Sequence, residues 1–167
     1  MSNIKFYEVS REYIEYLLEV EPHLFRNKKP EQMNERKYIG IVLCVNGMDY
    51  FAPLSSYKDK HQKMAESVDF IKVKRYAVIN LNNMFPVPKN ECTYVDINQQ
   101  KDSKYKSLLL AEYRVIKTIQ DKIRKNAMVV YQHKIINGCK TALSKRCNDF
   151  RLLEKACKEY SNEDIDN

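Results

Sequence analysis

Glycine is scarce in this chain, with three in 167 residues. That leaves little material for a glycine-rich nucleotide cradle, and neither GxGxxG nor GxxxxGK followed by Ser or Thr occurs. No two cysteines stand at C-x-x-C spacing. The five (Cys44, Cys92, Cys139, Cys147 and Cys157) are odd in number and suit neither a zinc site nor a secreted disulfide framework. A reducing cytoplasm is their simplest setting. The three histidines, His23, His61 and His133, show no metal-ligand spacing, and the G-x-S-x-G nucleophile elbow is missing. No apolar run reaches the length of a membrane span, and "MSNIKFYEVS" lacks the apolar stretch of a signal peptide. We expect no metal, no cofactor and no membrane.

What is present is positive charge. Twenty-nine Lys and Arg against 22 Asp and Glu give a net charge of +7 and a pI of about 9.1. Such an excess points to a polyanionic partner, nucleic acid first among them. Hydrophobic residues make up 44%, enough for a globular core, and the length suits one domain over residues 1–167.

Strand signals come early. "IKFYEV" (4–9) alternates, and Ser10 offers an N-cap to a helix in "REYIEYLLEV", with Tyr13, Ile14, Leu17 and Leu18 at helical spacing. Residues 22–36 read as a basic loop. "KYIGIVLCV" and "MDYFAPL" flank Asn46-Gly47, a pair that favours a type I′ hairpin turn because both positions want positive φ. "VDFIKVK" (68–74), "YAVINLN" (76–82) and "CTYVDI" (92–97) read as further strands, with "MFPVPKNE" as a surface crossing.

The period changes at Asp102. Leu109, Tyr113, Ile116 and Ile123 form a helical stripe, opposite Lys106, Arg114, Lys117, Lys122 and Arg124. "NAMVVYQHKII" continues that helix or forms a second one, stopping near Gly138. Asn148 or Asp149 caps a last helix, "FRLLEKACKEY", before an acidic, frayed tail. Strands over 4–97 followed by long helices over 102–160 predict an α+β fold: a small, strongly curved antiparallel sheet or barrel with helices packed on it.

"YFAPLSSYKDKH" (50–61) is the stretch that carries chemistry. A strand runs into Ser55 and Ser56, then Tyr57, Lys58, Lys60 and His61. Serines after a strand often only make a turn, and lysines are often only solvated. The hairpin changes that balance, because it returns Ser55 to the end of the strand where Arg36 and Lys37 lie. Hydroxyls and fixed cations together suit RNA cleavage by the substrate's own 2′-hydroxyl. The nucleophile is then built in, and the protein must align it and stabilise charge on phosphate oxygens.

"KFYEVSREYIEYL", the hairpin with "NG" and "YFAPLSS", "AVINLNNMFPVP" and "CNDFRLLE" occur in the order in which their counterparts stand in the ToxN/AbiQ toxins, and the chain resembles that family over nearly its whole length, its CptN branch most. The resemblance implies a compact, highly twisted β-core like that of Kid/MazF toxins. It implies a metal-independent, sequence-selective endoribonuclease of a type III toxin–antitoxin system that leaves 2′,3′-cyclic phosphate ends. It also implies a small RNA pseudoknot antitoxin, held in a closed protein–RNA assembly, and abortive infection of phage-infected cells. By position, the family's hydroxyl pair falls on Ser55 and Ser56, its lysine on Lys58 and its earlier basic residue on Arg36 or the adjacent Lys37. A tyrosine found in some members falls on Gln32, to which no role is given. Tyr57 is placed to stack on a base, and Lys37, Lys60, His61, Lys117 and Arg124 to hold RNA. The alternatives are a non-catalytic RNA-binding module and a structural or protein-interaction domain with a basic surface.

Overall fold

The computed structural model describes residues 2–24 and 36–166, the side chains of 164–166 excepted. Most of the expected basic loop, Gln32 included, lies outside the described residues. Seven strands form the sheet: β1 (Lys5–Val9), β2 (Tyr38–Val45), β3 (Met48–Ser56), β4 (Phe70–Val73), β5 (Ala77–Asn80), β6 (Phe85–Pro86) and β7 (Cys92–Tyr94). Among the described residues five α-helices accompany them: α1 (Arg11–Val20), α2 (Asp59–Lys63), α3 (Ser103–Asn137), α4 (Ala142–Arg146) and α5 (Phe150–Asp166).

The strand order is β4-β5-β3-β2-β1-β7, with β6 beside β3, and the pairs are antiparallel. Among the described residues β4 and β7 do not pair, so the sheet is open and the barrel form of the expectation is not met. The centre is β3. Its first half pairs with β2 and β6, and its last three residues pair with β5.

Alternation along the strands feeds two cores. Phe6, Ile39, Ala52, Leu54, Ile71, Val73, Ala77 and Ile79 pack with Leu109, Ile116, Ile123 and Ala127 of α3 on one face. Tyr38, Phe51, Phe85 and Val87 pack with Tyr13, Ile14 and Leu17 of α1 and Leu153 and Ala156 of α5 on the other. Each large side chain so buried contributes about 1.5–3 kcal/mol. Ser10 caps α1 as expected, its Oγ accepting from the Tyr13 N–H at 3.3 Å.

Three readings change. The "MFPVPKNE" segment is no surface crossing: Met84, Phe85 and Val87 are buried, and Phe85–Pro86 pairs with Tyr50 and Phe51. Two rungs suffice for a strand that short, so proline's missing N–H is tolerated there. The strand from Cys92 stops at Tyr94, because the Asp96 carboxylate accepts from the Asn98 N–H and starts a 3-10 turn. Of the two forms expected for the late helix the structure takes the continuous one, 35 residues to Asn137, and Gly138 ends it as expected, at φ 58. The last helix reaches Asp166 through the tail expected to fray. Asp149 caps it, accepting from the Leu152 N–H, while the Asn148 amide donates to the Met84 carbonyl.

Candidate active site

The β2–β3 hairpin fixes the site by register. Asn46 and Gly47 take φ of 53 and 74, the two positive values a type I′ turn requires. Gly40 stands opposite Phe51, and a Cβ there would lie 2.4 Å from the Phe51 ring. A β-bulge between Gly40 and Leu43 shifts the register, and the rungs then run Gly40–Phe51, Ile39–Ala52 and Tyr38–Pro53. Two steps further, Arg36 falls opposite Ser55. Its Nη2 donates to Ser55 Oγ at 2.6 Å.

The guanidinium is largely withdrawn from water. Its Nε is buried without a hydrogen-bond partner among the described residues, and burial pulls its pKa below the usual arginine value. Arginine keeps its charge even so. A desolvated cation with unused donors is costly until an anion meets it, and the adjacent Ser55 and Ser56 carry hydroxyls, a group able to hydrogen-bond phosphate oxygens.

Beyond Ser56 the chain enters α2, whose first turn is tied by one histidine. The Lys58 N–H donates to His61 Nδ1 at 2.9 Å, and the His61 N–H to the Lys58 carbonyl at 2.9 Å. The His61 ring is buried, with Tyr57 and Phe70 at 5.7 and 5.8 Å between centroids. Burial first, then Lys60, Lys58 and Lys72, push its pKa down. Since Nδ1 accepts, the neutral ring carries its proton on Nε2. The expected cation is therefore a neutral anchor, buried because it serves the local backbone. Lys58 and Lys60 remain exposed, as is Ser56, while Tyr57 is half-buried.

The other expected residues separate. Lys37 binds the Glu8 carboxylate on β1, which leaves Arg36 as the cation that reaches Ser55. Lys117 is exposed on α3. Arg124, also on α3, donates through Nε to the Ile41 carbonyl at 3.3 Å, at the bulge of β2, and through Nη2 to the Ser2 carbonyl. Part of its capacity is thus spent on the fold.

Lys72 is the residue that sequence reasoning missed. Ser55 pairs with Val78, and Val78 with Lys72, so all three share one row across β3, β5 and β4. Phe70 precedes Lys72 on that face and carries the His61 ring, which sets Lys58 over the same face. The alternation in "VDFIKVK" puts Lys72 on one face, but only the strand order brings that face to Ser55. The assembled site offers two hydroxyls, a desolvated guanidinium and the ammonium groups of Lys58 and Lys72. It can bind a phosphodiester and stabilise added charge on its oxygens.

Residues 5–158 match the family model described as Toxin ToxN, type III toxin–antitoxin system. The chain is 35% identical to endoribonuclease ToxN of Bacillus thuringiensis subsp. kurstaki over 97% of this chain and 87% of that protein. It superposes with a TM-score of 0.82 and 35% identity on a type III system structure concerning selective toxin inhibition by a non-coding RNA pseudoknot, covering 96% of this chain and 99% of that one. The match to AbiQ, a lactococcal anti-phage endoribonuclease of the same system type, has a TM-score of 0.80 and 26% identity over 96% of this chain and 99% of AbiQ.

Proposed function

The chain belongs to the ToxN toxin family of type III toxin–antitoxin systems, and from that premise we propose that Arg36, Ser55, Ser56 and Lys58 are its RNA-cutting site. Its activity is that of an endoribonuclease, so the non-catalytic RNA-binding module falls away. Its partner is an RNA pseudoknot antitoxin, and its setting is defence against phage.

The carrying observation is the buried Arg36 guanidinium donating to Ser55 beside exposed Ser56 and Lys58. In our reading the scissile phosphate takes up the unused guanidinium donors. The substrate's 2′-oxygen attacks phosphorus and loses its proton as the bond from phosphorus to the 5′-oxygen breaks. The 5′-oxygen gains a proton, so the products are a 2′,3′-cyclic phosphate and a 5′-hydroxyl. Arg36 and Lys58 stabilise charge building on the non-bridging oxygens, and Ser55 and Ser56 orient the phosphate. Fixed cations then do the work a divalent metal would do, so cutting proceeds without one. We take residues 1–167 as one toxin domain of the strongly bent Kid/MazF kind, acting in the cytoplasm where its substrate is.

The test is incubation with single-stranded RNA in excess chelator, followed by end analysis. Cyclic phosphate ends that disappear with Lys58→Ala are expected. Full cutting by a folded Lys58→Ala protein, or cutting only with added metal, would remove this assignment.

A further inference from the structure

The turn that joins β4 to β5 consists of Lys74, Arg75 and Tyr76, all exposed. It stands against the site because Ser56 pairs with Ala77 in the last rung between β3 and β5. Tyr76, just before Ala77, therefore leaves the sheet at the same end as Tyr57, just after Ser56, the two strands lying about 4.8 Å apart at that rung. Among the described residues the Tyr76 ring makes no hydrogen bond or ring contact: the residue is 39% exposed, and its turn is held by its backbone N–H on the Val73 carbonyl at 3.0 Å. Lys74 sits at φ 48, where glycine or asparagine would be less strained. Tyr57 is set edge-on to His61, the ring that also anchors Lys58. An aromatic ring and two cations thus border Ser56 on the β5 side, away from Arg36.

We infer that this turn is a subsite for the nucleotide next to the scissile phosphate. Tyr76, together with Tyr57, stacks on its base, and Lys74 and Arg75 hold its outer phosphate. Stacking on aromatic rings with cations tracking the backbone is how proteins hold single-stranded RNA, since every base has a π-face and a charged phosphate on each side. The inference rests on the reading of Ser55, Ser56 and Lys58 as the cutting site. It adds that substrate selection takes place partly on the β4–β5 turn.

The test uses an RNA oligonucleotide centred on the cut site mapped for this protein. In one form the scissile 2′-hydroxyl is replaced by hydrogen, which blocks cutting, and 2-aminopurine stands on one side or the other. On binding the wild-type chain its fluorescence should be quenched on one side only. The quenching should vanish with Tyr76→Ala and persist with Tyr76→Phe. On the cleavable form Tyr76→Ala should lower kcat/KM by roughly tenfold or more, the scale of one lost base stack. That penalty should fall away as the oligonucleotide is shortened on the quenched side. Lys74→Glu with Arg75→Glu should flatten the salt dependence of binding by about one phosphate contact. Equal quenching by wild type and Tyr76→Ala, or a penalty independent of oligonucleotide length, would overturn the subsite. The fluorescence does not depend on cutting, so a failure of the cutting-site reading is seen separately, in the Lys58→Ala rate.

Discussion

Arg36 and Ser55 are 19 residues apart in sequence and joined by a 2.6 Å hydrogen bond from Nη2 to Oγ. The bond exists because the hairpin register sets the two positions opposite each other and burial keeps the guanidinium off bulk water. The same burial makes Arg36 a liability to the fold while no anion is bound.

Replacing Arg36 should therefore separate activity from stability. Arg36→Met preserves bulk and removes the buried charge. We expect cleavage to fall about a hundredfold or more. The melting temperature should stay level or rise, as when a buried ion is exchanged for an apolar side chain. Arg36→Lys keeps the charge but loses the planar fork and should recover only part of the rate. Cleavage rates and thermal melts on the same preparations decide the matter. A clear loss of melting temperature in Arg36→Met would show that the guanidinium supports the fold.

His61 should act through Lys58. His61→Ala removes the acceptor of the Lys58 N–H and should lower kcat more than it raises KM, whereas His61→Asn offers an oxygen near the position of Nδ1 and should restore much of the rate. The pKa of His61 is lowered in the folded chain, so the unfolded chain binds the proton more readily. Its share of stability is then full above the unfolded value of about 6.5 and declines as pH falls below it. Melts between pH 7.5 and 5 should show that decline in the wild type and a weaker one in His61→Asn. Parallel curves would mean that His61 does not titrate with folding.

The hairpin was legible because its determinants are local. Asn46-Gly47 dictates the turn and the rungs nearest it, which by themselves would set Tyr38 opposite Ser55; the bulge between Gly40 and Leu43, which has no such local sign, shifts the register by two and brings Arg36 there instead. The choice between Arg36 and Lys37 was not legible, since it depends on Glu8, which reaches Lys37 only once β1 lies beside β2. Lys72 was hidden for the same reason: its row forms through two strand pairings with no local sign. His61 misled because a histidine among lysines reads as a cation. Its burial is set by Phe70, nine positions on, through the packing of α2 over β4. Phe85–Pro86 was read as a crossing because proline usually marks one, and the side chains that bury Phe85, from α1, β2, β3 and α5, belong to distant elements.

Glu112 offers a prediction within the helix layer. It lies on the inner side of α3, and burial raises its pKa from the usual carboxylate range to about 7. The folded chain thus holds a proton that the unfolded chain releases from about pH 4.5 upward. Stability should fall as pH rises through that window, by about 3 kcal/mol at most between the two values. Glu112→Gln keeps the shape without the charge and should raise the melting temperature at pH 8 while leaving it nearly unchanged at pH 5. Equal effects at both pH values would place the carboxylate in a pairing that burial does not reveal.

The antitoxin should cover more of the surface than the cutting site. A net charge of +7 exceeds what one phosphate needs, and basic side chains continue beyond the hairpin. The Lys122 ammonium bonds Glu66 at 3.2 Å, and Glu66 in turn accepts from the Lys72 N–H at 2.8 Å, which brings α3 alongside β4. Lys117 lies five residues earlier on that helix, exposed and with no ion pair among the described residues. Arg124 holds the Ile41 carbonyl and is half-buried, so it offers less to RNA than Lys117 does. We therefore expect Lys117→Glu to weaken capture of the pseudoknot antitoxin far more than it slows cleavage of a short oligonucleotide. Arg124→Glu should also lower the melting temperature, because it removes a support of the β2 bulge. Antitoxin binding in the wild type should be steeply salt-dependent, with log K falling by roughly 0.7 to 0.9 per decade of salt for each phosphate neutralised. Lys117→Glu should reduce that slope by about one contact. The measurement is a salt titration of antitoxin affinity for the wild type and both variants, with melts alongside. An unchanged slope and affinity in Lys117→Glu would confine the antitoxin to the hairpin and its neighbouring turn.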